Sequence, residues 1–401
     1  LKVLVIGGGA AGFFAALSVK QHHPDAEVTI LEKSTKFLAK VKISGGGRCN
    51  VCNATFNNRI LAEKYPRGEK FLRQAFEQFN AKDTFDWFES RGVALKTYPD
   101  NCVFPVANDS QVIIDCFLRE AKKTAINLIT QQGVEKIEEW REGFRVYTKT
   151  DIFEADKLII TTGGHPKKSG FHWIENLGIS IVDPVPSLFS FNIEDESLHQ
   201  LMGNVIENAS AKIEGQKLKG IGPILVTHWG LSGPAILQLS AWGARLLEAK
   251  NYNFNILVNW LGQQSEIELQ SNFKQFILRG ENKQIQNFCP FPFTNRFWIY
   301  LLHKLGIPLT LKWKELQGKY LNKLINGLIN DVFVVTGKTT FKEEFVTAGG
   351  IQLSEIDYKT MESKQIKGIY FAGEIMDIDG ITGGFNFQAA WTTGFIAGKL
   401  G

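Results

Sequence analysis

Three stretches of this chain set reactive or ligand-holding residues at intervals that suggest chemistry. In Gly7-Gly-Gly-Ala-Ala-Gly12 the glycines fall as G-x-G-x-x-G. Gly7 suits a tight turn, Gly9 lets a pyrophosphate approach the backbone, and Gly12 lets a helix pack closely on a strand. With Ala10 and Ala11 in its first turn, the helix start offers unpaired N–H groups to an anion. Glu32 follows Gly12 by about twenty residues, where a carboxylate accepts hydrogen bonds from ribose hydroxyls and repels a 2′-phosphate. The second stretch is Ile43-Ser-Gly-Gly-Gly-Arg-Cys-Asn50. Gly45, Gly46 and Gly47 exclude a helix or strand interior, so this is a loop whose backbone lies close to something flat or charged. Arg48 and Asn50 beside it have the character of ligand contacts, although Arg48 also suits a structural salt bridge. Cys49 is a candidate proton donor to substrate, a structural thiol, or half of a redox pair with Cys52. Asn50 and Val51 give no helix-start signal between the two cysteines, which weakens the redox pair. The third stretch, Thr227-His-Trp-Gly-Leu-Ser-Gly-Pro234, holds His228 in a glycine turn. An imidazole there is either a buried structural group or an acid suited to protonating a substrate near neutral pH. The remaining cysteines are isolated, so no metal site is expected.

The elements that position these residues follow from composition and period. Lys2-Val-Leu-Val-Ile6 is apolar and β-branched, as a strand covered on both faces must be, and Phe13 to Lys20 is helix-forming. A second strand, Glu27 to Leu31, delivers Glu32. Apolar positions at Phe71, Phe76, Phe79, Phe85 and Phe88 predict a core-facing helical stripe over 71–91. Helical spacing also runs from Val112 to Thr124. Phe144 to Thr148 and Ile152 to Ala155 read as paired strands, and Lys157 to Thr162 as a strand entering Gly163-Gly164. From about Pro184 the alternation of strand and helix stops. Short strands are expected at Ala209 to Ile213, Gln216 to Leu218, Ile224 to Thr227 and Asn253 to Asn259, followed by a mostly helical region from Glu266 to Asn326. The last stretch returns to the first pattern: Gly368 to Glu374 is a strand closing on Gly373-Glu374, and Asp377 to Asn386 leads into a helix from Phe387 to Lys399.

A chain of 401 residues can bury a large core and suits two domains better than one. Its 21% charged and 44% hydrophobic residues are ordinary for a globular protein, and the net charge of +4 permits an anionic partner without demanding one. No apolar run is long enough to span a bilayer, and the N-terminal strand has neither the basic leader nor the cleavage site of a signal peptide. Five cysteines do not make a secreted disulfide framework, and a cytoplasmic location is expected.

Together the motifs resemble the HI0933-like flavoprotein family, also called the YhiN or BaiN-like family. The residues that carry the resemblance are Gly7–Gly12, Ile43–Asn50, Val103-Phe-Pro105, Thr162-Gly-Gly164, Thr227–Pro234, Thr360-Met-Glu-Ser363, Gly373-Glu374 and Gly383-Gly-Phe-Asn386. The resemblance implies an α/β fold: a discontinuous, glutathione-reductase-like Rossmann domain that binds FAD, interrupted by an insert with β-barrel-like and helical parts. The expected boundaries are 1–189 and 343–401 for the FAD domain and 190–342 for the insert. For FAD, the implied contacts are Gly7, Gly9, Ala10, Ala11, Gly12, Glu32, Lys33, Lys42, Ser44, Gly45, Gly46, Gly47, Arg48, Asn50 and Val134. Further along they are Thr162, Gly163, Gly164, Gly373, Glu374, Asp377, Gly383, Gly384, Phe385 and Asn386. Phe385 stands where the family more often has Tyr, and Cys52 is extra to the shared motif.

The activity so implied is reduction of an activated carbon–carbon double bond, as a uracil base of large-subunit ribosomal RNA or as a small, steroid-like enone. A third reading is a flavin-carrying redox sensor or interaction protein. Catalytic roles fall to Cys49 or His228 as proton donor and to Arg48 as a contact to an anionic substrate or the flavin pyrimidine. A second nucleotide fingerprint is absent, so either NAD(P)H docks transiently without one, which is the expected electron source, or another donor reduces the flavin. Lys304, Lys312, Lys314, Lys319 and Lys323, interspersed with Trp298 and Trp313, form a candidate RNA-facing surface. No membrane partner is expected, and the sequence leaves the oligomeric state open.

Overall fold

The computed structural model describes residues 1–340 and 346–401. The expected boundary at 342/343 lies outside the described residues. Two compact units are present: Leu1–Ser187 with the described part of Phe341–Gly401, and Leu188–Thr340.

The first unit is built on a five-stranded parallel sheet. Its strands run, edge to edge, Ile369–Phe371, Lys157–Ile160, β1 (Lys2–Ile6), β2 (Glu27–Leu31) and Asn127–Ile129. β1 lies in the middle, with Leu4 opposite Leu158 on one side and Thr29 on the other. Val3, Leu4, Val5 and Ile6 are buried because helices cover the sheet, which is why the strand reads as a continuous apolar run. α1 (Ala10–His22) packs against the C-terminal helix Phe385–Ala397. A Cβ on Gly394 would lie 2.7 Å from the Ala11 carbonyl oxygen and one on Gly398 2.5 Å from that of Ala15, so small residues set this approach. Beside α1, Phe14 meets Trp87 at 4.6 Å and Trp391 at 5.5 Å between ring centroids.

The stripe expected over 71–91 is broken into two helices, Glu69–Ala75 and Ala81–Glu89. The break falls at Asn80, whose side chain accepts from the N–H groups of Lys82 and Asp83 while Asp83 returns a bond to the Asn80 N–H. Phe76, Phe79 and Phe88 are buried nonetheless. Ile181–Ser187 pairs antiparallel with Val346–Ile351, and a separate meander is formed by Val134–Trp140, Gly143–Thr148 and Ile152–Ala155.

The second unit carries a seven-stranded antiparallel sheet. Gln216 to Leu218 is a turn in it, not a strand, and Lys219–Thr227 forms one continuous strand. The helical region contains Glu266–Gly280, Asn295–Lys304 and Gly318–Ile329. Trp298 and Trp313 are fully buried here, stacked at 6.5 Å with their planes 5° apart. This removes the two tryptophans from the expected RNA-facing surface, whereas Lys312, Lys314 and Lys319 are exposed. Trp298 belongs to the apolar stripe of its helix with Phe297, Leu301 and Leu302, Lys304 pairs with the buried Asp331 at 2.7 Å, and Lys323 donates to the Leu305 carbonyl. Among the described residues no helix is long and apolar enough to cross a membrane, and no group of His, Cys, Asp and Glu could hold a metal ion.

Candidate functional site

The glycines after β1 separate into those that pack and one that stays open. A Cβ on Gly7 would lie 2.6 Å from the Thr161 carbonyl oxygen, and one on Gly12 would strike the Gly7 carbonyl. A Cβ on Gly9 meets nothing within 4 Å. Gly9 is the residue before α1, no side chain caps that helix, and its first turn holds no acid. Its unpaired N–H groups therefore favour an anion, and the bare Gly9 backbone lets a pyrophosphate come close. Thr161, one residue before the expected contact Thr162, holds the turn by donating to the Ile6 and Gly7 carbonyls at 3.1 and 2.9 Å. Thr162 is exposed. Glu32 ends β2 with its carboxylate aimed by backbone, Oε2 accepting from Gly8 N–H at 2.9 Å and Oε1 from Ser34 N–H at 2.8 Å. Each oxygen keeps acceptor capacity for a ribose hydroxyl. Lys33 lies beside Gly133, the residue before Val134, since a Cβ on Gly133 would sit 3.5 Å from that of Lys33.

The second stretch leaves helical geometry at Ser44, and Gly45, Gly46 and Gly47 follow with φ of +57°, +66° and +82°. Only glycine adopts three such conformations in succession without strain. A Cβ on Gly46, Gly47 or Gly163 would meet no atom within 4 Å, so these backbones border open space. Cys49 continues the turn at φ +59°, a left-handed conformation that costs a non-glycine residue about 1–3 kcal/mol and occurs most at functional sites.

Cys49 is fully buried, and burial pushes its thiol up to about 12 against a hydrogen bond with Ser44. Burial likewise holds the Cys52 thiol well above its ordinary value, with Cys49 and Cys102 adding to the effect. Both are free and neutral, whereas a dithiol cycle needs an accessible thiolate. Arg48 is exposed, its Nε donating to Gly45 O at 3.2 Å and its guanidinium lying 4.5 Å over the Phe104 ring. Asn50 Oδ1 accepts from Val103 N–H at 3.3 Å, and a Cβ on Gly384 would lie 2.7 Å from it. The glycine turn thus borders the start of the C-terminal helix. Lys42, further back, is exposed with Nζ 3.5 Å from Asp109.

In the last stretch Glu374 accepts from Thr347 N–H at 2.9 Å through Oε1 and pairs with Lys40 at 2.9 Å through Oε2. A Cβ on Gly164 would lie 3.0 Å from Oε1, so this carboxylate and the Gly163-Gly164 loop are neighbours. Gly373 packs on Ala11, and Asp377 donates its N–H to the Ile351 carbonyl. Gly383 and Gly384 precede the C-terminal helix, which has no side-chain cap and no acid in its first turn. Asn386 bonds both N–H and C=O of Gly380, at 2.8 and 3.0 Å, and so closes the loop before that helix.

Nothing in the sequence pointed to Arg67. The segment Lys64–Gly68 lies along Ile378–Ile381: Lys64 O accepts from Ile381 N–H, Gly68 packs on Ile378, and Tyr65 donates to the Phe385 carbonyl at 2.6 Å. Arg67 grips the fully buried Asp379 with two nitrogens, one of them at 2.5 Å, and Ser187 donates to the same carboxylate at 2.6 Å. Burial raises the Asp379 carboxyl, and Arg67 and Ser187 pull it back.

His228 belongs to the second unit, in the turn between Lys219–Thr227 and Gly230–Ser232. It is exposed, with its ring 4.2 Å from that of Trp229.

A Rossmann sheet ending in an open glycine cradle, an aimed acid and an uncapped C-terminal helix defines an FAD-binding protein of the oxidoreductase class. More narrowly, the chain belongs to the HI0933-like family, whose Rossmann-domain model matches residues 1–400. It is 26% identical over 407 residues to the 3-dehydro-bile acid delta(4,6)-reductase of Clostridium scindens, covering 99% of this chain and 98% of that one. It is also 26% identical over 399 residues to the ribosomal RNA dihydrouridine synthase of Escherichia coli, covering 97% and 95%. In fold it is similar to the 3-ketosteroid-delta4-(5alpha)-dehydrogenase of Rhodococcus jostii, with a TM-score of 0.52 at 11% identity over 99% of this chain and 96% of that one.

Proposed function

We propose that this protein is an FAD-dependent reductase of an activated carbon–carbon double bond, with a uracil base of ribosomal RNA as substrate and NAD(P)H as transient electron donor. The observation that carries the reading is the open backbone at Gly9, Gly46, Gly47 and Gly163, all in the unit that holds the cradle. Whole-length likeness to a relative named for each of two double-bond reductions supports it. When bound, FAD supplies hydride chemistry. The chain's own work is to bind and to move a proton. Gly9 and the start of α1 take the pyrophosphate, Glu32 the ribose, and the uncapped start of the C-terminal helix favours negative charge beside it. Proton delivery is assigned to His228, whose exposed imidazole is a side-chain type suited to general-acid work. The complete burial of Cys49 supports a structural role for it.

The second reading is reduction of a small enone, supported by the equal identity of the bile-acid relative. Mapping dihydrouridine in ribosomal RNA from a strain lacking the gene separates the two. A missing modification restored by the gene supports the RNA substrate. An unchanged map, with turnover of an enone by the purified protein, moves the assignment to small molecules.

A further inference from the structure

Arg48 is an exposed arginine held still without a carboxylate. Its Nε bonds Gly45 O and its guanidinium lies on Phe104, yet it makes no ion pair among the described residues. The other cations along this segment are neutralised, Lys40 by Glu374 and Lys42 by Asp109. The Phe104 ring meets Tyr98 edge-on at 5.4 Å, and Lys96 Nζ stands 5.2 Å over the Tyr98 ring. Lys96 is exposed and also lacks an ion pair among the described residues. Asp100, the nearby acid, accepts the Cys102 N–H at 3.1 Å. The result is a ladder of cation, aromatic, aromatic and cation that begins at the glycine turn, all within the first unit.

Fixing a long cationic side chain in advance lowers the entropic cost of binding. A guanidinium held over a ring keeps an outer side free for a planar group, while its N–H edges and the lysine ammonium suit phosphates. We propose that the strip Arg48–Phe104–Tyr98–Lys96 is the docking site of single-stranded RNA flanking the reacting base, its two unpaired cations taking backbone phosphates, while the outer face of Arg48 and the half-buried Tyr98 ring stack bases and the buried Phe104 holds them in place. This rests on the RNA-substrate reading above. A small anionic enone would use one cation and leave Lys96 idle.

The test uses the FAD-loaded protein, a fluorescently labelled uridine-rich single-stranded RNA, and the double variant Lys96→Ala/Tyr98→Ala, which leaves Arg48 in place. Wild-type protein should bind the RNA in a salt-dependent way. The double variant should bind about tenfold or more weakly and with a shallower salt dependence, because a stacking plane and a phosphate contact are lost. FAD content and reduction of the flavin should be unchanged. If the variant binds RNA as tightly as wild type, the strip is not the docking site even though the RNA reading survives. If wild type binds no RNA but reduces a carboxylate-bearing enone, the docking site falls together with the reading beneath it.

Discussion

At the scale of single residues, the open side of Gly9 separates cofactor binding from folding. A Cβ there meets no protein atom, so Gly9→Val should fold with near wild-type thermal stability and purify without FAD. Full flavin absorbance in that variant would mean that the pyrophosphate lies elsewhere. For proton transfer, His228→Ala should leave flavin binding and reduction intact and slow reoxidation by substrate about 10²- to 10⁴-fold. Cys52→Ala should turn over almost normally. Rapid alkylation of Cys49 in native protein at pH 7 would reverse its assignment as a structural thiol. Cys49 also makes a prediction about alkali. Its folded value, about 12, lies above the ordinary 9.0, so between those values the unfolded chain loses the proton first. Stability should fall as pH rises through that window, and Cys49→Ala should flatten the decline in urea titrations.

At the scale of elements, the Lys64–Gly68 segment and the loop it grips depend on a charge with no access to water. Removing one partner of a buried pair strands the other, so Arg67→Met or Asp379→Asn should each cost about 3–5 kcal/mol. The double variant should recover most of the loss in denaturant titrations, because a neutral pair has no charge to desolvate. Additive losses instead would show that Arg67 and Asp379 contribute independently. The sequence could not reveal this pair, whose members stand 312 residues apart with no periodic pattern linking them. Gly7–Gly12 was legible because strand, turn and helix are contiguous and the spacing itself carries the geometry. The interruption at Asn80 was also written locally, in an Asn with Asp three residues on, but the run of phenylalanines concealed it. Trp298 and Trp313 mislead for a different reason: lysines nearby say nothing about which side of a helix an indole takes, while the period shared with Phe297 and Leu301 does.

At the scale of the whole molecule, the parallel alternation at the N-terminus and its return after Gly368 made the Rossmann unit readable. The order of strands within it was not, because pairing across the sheet leaves no local mark. That order has a consequence for synthesis. β1 finds its neighbours only when Lys157–Ile160 and β2 exist, the edge strand waits for Ile369–Phe371, and the packing partner of α1 ends at Ala397. Leu188–Thr340, by contrast, is one uninterrupted segment. On the ribosome the middle of the polypeptide should therefore become protease-resistant while the flanking part is still waiting for its last helix. Nascent chains arrested far enough beyond Thr340 for that residue to clear the exit tunnel, yet before the last helix emerges, should protect that segment and retain no flavin. FAD captured by such chains would show that the nucleotide is engaged before the sheet is complete. Vitamin supply during growth would then meet a protein able to accept its cofactor only after release, and overproduction in riboflavin-poor medium should yield finished, colourless protein that turns yellow when FAD is added.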